Sequence, residues 1–257
     1  MTARLLTVLV VSLVVFAGCV GVDPAADDGN DAGDGGAAPA DRDGLSVEAT
    51  DQLLRDAGSF TATWSYSTTE ADETATITNA YRVDLRANRS LETFSMSGPD
   101  ATTDFETFVA DGSAYTRYET DGEAFYQVRP QDDTAFQSAV DRGTLSYESV
   151  DDARLVGTET FDGVTVDRYE YSELSTWRQF GAGAFGSGGN VTVTDFTVVI
   201  LVDGDGLARQ TAWTLTGETD DGETVAVEWR YEVTGVGSTD VPDPDWLDEA
   251  RAQQTAA

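Results

Sequence analysis

Apolar and polar residues alternate one for one through long stretches of this chain, and the stretches are separated by Asp-Gly steps. Phe60, Ala62, Trp64 and Tyr66 alternate with Thr61, Thr63, Ser65 and Ser67. Ala75, Ile77, Tyr81, Val83 and Leu85 alternate with Thr76, Thr78, Arg82, Asp84 and Arg86, and Val225, Val227, Trp229, Tyr231 and Val233 with Thr224, Glu228, Arg230 and Glu232. A period of two sends every second side chain to the same side of an extended strand, so each stretch carries one apolar and one wet face. Asp111-Gly112, Asp121-Gly122, Asp162-Gly163, Asp203-Gly204-Asp205-Gly206 and Asp220-Asp221-Gly222 have the chemistry of tight hairpin turns, because Gly and Asp tolerate the left-handed backbone. Further strands are expected at 91–97, 103–110, 113–119, 124–129, 153–161, 164–171, 191–202 and 207–217. Such a pattern builds an antiparallel sheet with one face on the core and one in water.

Helical signals are few. Ser46 can cap a helix over Val47 to Ala57, with Val47, Thr50, Leu53, Leu54 and Ala57 on one side and Gly58 as its stop. Asp132 and Asp133 introduce a second helix through Phe136, Ala139 and Val140, and a short one closes the chain near 245–253. The expected fold is α+β and mostly β: a long antiparallel sheet curled into a half-open barrel over two helices, with a short C-terminal helix. A large sheet with so little helix to cover it leaves an apolar concavity. The inward aromatics Trp64, Tyr66, Tyr81, Trp213, Trp229 and Tyr231 are its candidate lining. If side chains fill the concavity, the alternative is a packed structural or interaction module of the cell envelope. A Gly-rich insertion between Glu173 and Asn190 carries Trp177, Phe180 and Phe185, a candidate lid.

The N-terminus reads as an address rather than as structure. Residues 1–18 hold Arg4 and an apolar run of 13 residues from Leu5 to Ala17, too short to span a bilayer. The run leads into Val14-Val15-Phe16-Ala17-Gly18-Cys19, where a lipoprotein signal peptide would end at the only cysteine in the chain. Cys19 is the candidate lipidation site, tethering residues downstream to the outer face of the cell membrane. Residues 19–44, rich in Asp, Gly and Ala, cannot bury surface to offset chain entropy and are expected to be an extended acidic linker. The folded domain is expected over 45–257.

Charge and absences narrow the chemistry. There are 47 acidic residues against 15 basic ones, all of them Arg, for a formal charge of −32. Molar salt screens such self-repulsion, so the composition points to an extreme halophile, and within that class to a haloarchaeon. It also excludes nucleic acid as a partner. With no His and no Lys there is no catalytic triad, no imidazole base, no usual zinc site and no Schiff-base lysine. Carboxylate pairs arise by chance in a chain this acidic, which leaves a hydrolase without a specific signal. The Asp203-Gly204-Asp205-Gly206 segment departs from a calcium-binding loop and reads as a hairpin turn. The chain is therefore expected to be a non-enzyme and a monomer, using neither cofactor nor metal, whose partners are the membrane and an apolar or lipid-like ligand. Asn88-Arg89-Ser90 and Asn190-Val191-Thr192 have the form of N-glycosylation acceptors.

Several features together carry a resemblance. They are the lipidation box, the acidic linker, the opening helix, the strand Phe60 to Thr69, and Val156-Gly157-Thr158-Glu159 with Asp162-Gly163-Val164 and Tyr169. The ending Val241-Pro242-Asp243-Pro244-Asp245-Trp246-Leu247 completes the set. Over roughly residues 45–250 they resemble an uncharacterised family of haloarchaeal surface lipoproteins. That family in turn resembles the superfamily of bacterial outer-membrane lipoprotein carriers and mycobacterial lipid-binding lipoproteins. The resemblance implies a half-open β-barrel whose apolar cavity holds acyl chains, and no catalytic residues.

Overall fold

The alternating stretches all become strands of one sheet. The computed structural model describes residues 50–70, 73–99, 102–120, 123–143, 153–172 and 191–256. Cys19, residues 1–44, the Ser46 cap, the insertion with Trp177, Phe180 and Phe185, and Asn190 lie outside the described residues. The elements are α1 (Thr50–Ala57), β1 (Ser59–Glu70), β2 (Glu73–Asp84), β3 (Arg89–Ser97), β4 (Thr102–Ala110), β5 (Ser113–Thr120) and β6 (Glu123–Pro130). There follow α2 (Phe136–Asp141), β7 (Arg154–Phe161), β8 (Val164–Tyr171), β9 (Val191–Asp203), β10 (Ala208–Thr219), β11 (Thr224–Thr234) and α3 (Leu247–Ala256).

The strand order is β6-β5-β4-β3-β2-β1-β11-β10-β9-β8-β7, eleven strands, with every neighbouring pair antiparallel. Two meanders, β1 to β6 and β7 to β11, meet where β1 pairs with β11, for example Trp64 opposite Tyr231. The sheet does not close, and β6 and β7 form its edges. Asp111 and Asp162, each before a left-handed Gly, have positive φ of 52° and 48°, the backbone a tight hairpin demands. The β9–β10 turn is held by Asp203, whose Oδ1 accepts from the backbone N–H of Asp205 and Leu207. Its Oδ2 takes the buried Arg209 Nε–H at 2.6 Å.

Two helices lie on one face. Leu54 of α1 is buried, and Gly58 (φ +75°) ends the helix, its N–H donating to the carbonyl of Leu54. In α2, Phe136 meets the Phe60 ring edge-on at 5.7 Å, and Arg55 of α1 lies over Phe136 at 4.0 Å. No side chain caps α2, whose N-cap position is Ala135 rather than the aspartates before it. The core under these helices gathers Phe60, Ala62, Tyr81, Val83, Phe196, Val198, Trp213, Leu215, Trp229, Tyr231 and Val233.

The opposite face is wet only in part. Over β1 and β11 it carries Thr61, Thr63, Ser65, Ser67, Glu228, Arg230 and Glu232, as alternation requires. Over β3 to β6 it is apolar: Leu91, Phe108, Tyr115 and Val128 line up in register, with Tyr126 beside them on β6, and are covered by Val241, Trp246, Leu247 and Ala250. The sheet therefore has two cores on opposite faces. Trp246 donates its indole N–H to Glu106, and Arg89 pairs with Asp243, which seats the segment leading into α3.

Candidate functional site

Cross-strand register brings the aromatics of β1, β2, β10 and β11 onto the α1/α2 face. Directly paired residues point the same way, so Trp64, Tyr231 and Thr211 form one row, and Tyr66, Trp229 and Trp213 the next. All six candidate lining residues share this face. Tyr81, Trp213, Trp229 and Tyr231 are buried, whereas Trp64 and Tyr66 are half-buried. Trp213 and Trp229 stack at 6.4 Å with 7° between planes, Tyr66 meets Trp213 at 6.5 Å, and the Tyr231 hydroxyl donates to the Ala139 carbonyl at 2.9 Å. A Cβ on Gly143, just past α2, would stand 2.4 Å from the Tyr231 ring, so the close seating of α2 depends on that glycine.

The row through Trp64 runs beyond the helices. Trp64 pairs with Asn79, Asn79 with Phe94, Phe94 with Phe105, Phe105 with Tyr118 and Tyr118 with Phe125. Five aromatic residues and one asparagine thus line a single row across β6 to β1. Phe94 and Phe105 stack at 4.8 Å and 15°, and Phe105 meets Tyr118 at 6.0 Å. Toward the β6 edge the row opens to solvent, with Tyr118 exposed by 42% and Phe125 by 53%. Met96, paired with Ile77 in the adjacent row, is also exposed. Exposed large apolar side chains are thus gathered at one edge of the sheet rather than scattered singly. Sequence reasoning had these strands but not this row, because no single strand carries more than one of its members.

Asn79 interrupts the row. It is buried, and its Nδ2 donates to the Tyr81 hydroxyl at 2.8 Å and to Glu92 Oε1 at 3.1 Å. Its Oδ1 has no hydrogen-bond partner, one of three buried side-chain nitrogen or oxygen atoms so placed among the described residues. A buried acceptor left in that state costs about 1–3 kcal/mol. Burial, and next the Glu92 carboxylate, push the Tyr81 phenol up to about 12, while Arg142 works in the other direction. The Arg142 guanidinium also lies over the Trp64 ring at 5.3 Å.

On the opposite face, a groove of about 630 Å³ runs between β5, β6 and the segment before α3, lined by Arg82, Glu106, Arg117, Tyr126, Trp246 and Glu249 among others. Within it Arg117 pairs with Glu106 and Glu119, and the Tyr126 hydroxyl donates to Glu249. Among the described residues no three acidic side chains converge as a metal site would require. Asn88, the first sequon, sits in the exposed β2–β3 turn with φ 51°. Its amide donates to the Asp132 carbonyl, and Ser90 is buried with its hydroxyl accepting from Ala135 N–H.

The fold defines an open, mostly β sheet protein with a row of aromatic residues that is exposed at the β6 edge. The chain belongs to a family of unknown function, DUF7537, whose pattern it matches over residues 4–250. No curated protein matches it. Among solved structures, a DUF1329 family protein from Desulfovibrio piger aligns with 80% of this chain and 98% of its own, at 11% identity and a TM-score of 0.23. MucB, solved in complex with periplasmic MucA, aligns over 76% of this chain and 57% of its own, at 13% identity and a TM-score of 0.28.

Proposed function

We propose that this chain is a non-catalytic lipoprotein, tethered through Cys19 to the outer face of a halophile's membrane, that holds an apolar or amphipathic ligand against its aromatic face. The observation that carries the reading is the row Phe125, Tyr118, Phe105, Phe94, Asn79 and Trp64, half-buried at its Trp64 end and open to solvent at the other. A stack of rings on a stiff sheet offers apolar area at little entropic cost on binding. Tyr81, Trp213, Trp229 and Tyr231 are packed core, which favours the structural alternative for the half of the sheet beneath the helices. Ligand binding therefore belongs to the β2–β6 half.

A titration with a neutral fluorescent probe, N-phenyl-1-naphthylamine, in molar potassium chloride tests the reading. Phe105→Ala and Tyr118→Ala should each weaken probe binding by about five- to tenfold with little loss of stability. An unmodified protein that never takes up the probe, or variants that bind it unchanged, would reject the site. For the tether, Cys19→Ser should release the protein into the medium or stall its precursor; normal processing with membrane fractionation would reject the lipid anchor.

A further inference from the structure

We propose that Asn79, with Glu92 beside it, forms a head-group subsite within the aromatic row and selects a neutral amphiphile bearing a hydroxyl group. The inference rests on the ligand-binding reading above and assigns the polar end of that ligand.

Between Phe125 and Tyr231, Asn79 is the one residue of the row with no ring. Its orientation is fixed chemically. Nδ2 faces the Tyr81 hydroxyl and the Glu92 carboxylate, both able to accept, and turning the amide over would press Oδ1 against that carboxylate. Oδ1 is left as an acceptor, 2% exposed as a residue and without a donor, between Phe94 and Trp64. A group that completes it must donate a hydrogen bond and must reach it along apolar rings. Charge decides the rest. An anionic head meets Glu92 in a chain of formal charge −32. A cationic head is drawn to Glu92 but repelled by the Arg142 guanidinium, which faces the same Tyr81 hydroxyl and lies over Trp64, so it gains little to set against the cost of shedding its hydration. A hydroxyl carries neither penalty and can donate to Oδ1.

The test displaces N-phenyl-1-naphthylamine from the folded protein in molar potassium chloride, using ligands with one chain length and different heads. These are 1-dodecanol, its methyl ether, dodecanoate and dodecylammonium. The ether keeps the oxygen and loses the donor. Dodecanol should bind about tenfold tighter than the ether, the worth of one buried hydrogen bond, and tighter than either ion. Asn79→Leu should erase the preference, so that dodecanol loses its tenfold advantage over the ether. Glu92→Gln, which keeps an acceptor beside Asn79, should retain the preference for dodecanol over the ether and tighten dodecanoate. The second variant and the wild-type comparison decide the matter if Asn79→Leu does not fold. Equal affinity for dodecanol and ether, or dodecanoate binding tightest, would overturn the assignment while leaving the aromatic site standing. A probe that never binds would overturn both.

Discussion

Trp229 and Trp64 lie in adjacent rows of the same face, yet truncating them should have very different consequences. Trp229 is buried and stacked parallel on Trp213, with Tyr66 paired to it across the strands. Its side chain removes roughly 200 Å² from water, which at about 25 cal/mol per Å² amounts to ~5 kcal/mol. Neighbours held in a sheet ladder cannot collapse into the void, so Trp229→Ala should cost ~4–5 kcal/mol, at the top of the range for aromatic truncations. Trp64 is only half-buried, and part of its environment is the Arg142 guanidinium rather than close-packed carbon. Its removal should cost about half as much, ~2 kcal/mol. The measurement is urea unfolding in molar potassium chloride followed by far-ultraviolet circular dichroism, which does not depend on the deleted fluorophore. Midpoints should separate at an unchanged slope. Equal costs, or a Trp229→Ala penalty below ~2 kcal/mol, would refute the claim that the face under the helices is packed core.

Three further outcomes are expected. Tyr81 is pushed up to about 12 by burial and Glu92, so its contribution is fully present below pH 10 and lost as pH rises through 12. At about 1.4 kcal/mol per pH unit it is at most ~3 kcal/mol. Absorbance at the tyrosinate band should show a late-titrating phenol that Tyr81→Phe removes. Asp203→Ala should cost ~3–5 kcal/mol, because it strands the buried Arg209 and frees two turn amides; Asp205→Ala, exposed in the same turn, serves as the control in the same denaturation assay. Raising potassium chloride from about 0.1 M to several molar should raise the thermal midpoint, as screening relieves repulsion; a flat or falling midpoint would contradict the halophile reading.

Alternation and turn chemistry determined the strands by themselves. From Phe60 to Val233 each strand was legible, three from a clean period of two and the rest as runs between turn signals, their bounds moving by a residue or two in the structure, because alternation and left-handed Asp-Gly steps are local properties of the chain. Helix signals were weaker: α2 starts without the aspartate cap, since its position is set by Phe136 packing on Phe60 rather than by a local hydrogen bond. Tertiary structure alone decided three matters. It joined β1 to β11, a pairing between strands far apart in sequence that leaves no local trace. It laid the Val241–Ala250 segment on the face that alternation had assigned to water, because Leu91, Phe108, Tyr115 and Val128 come together only once four hairpin strands are in register. It also assembled the aromatic row, one residue from each of six strands, with Asn79 set among the rings. Strand identity depends on neighbours in sequence, whereas a binding face is a property of register, which exists only when the whole sheet has formed.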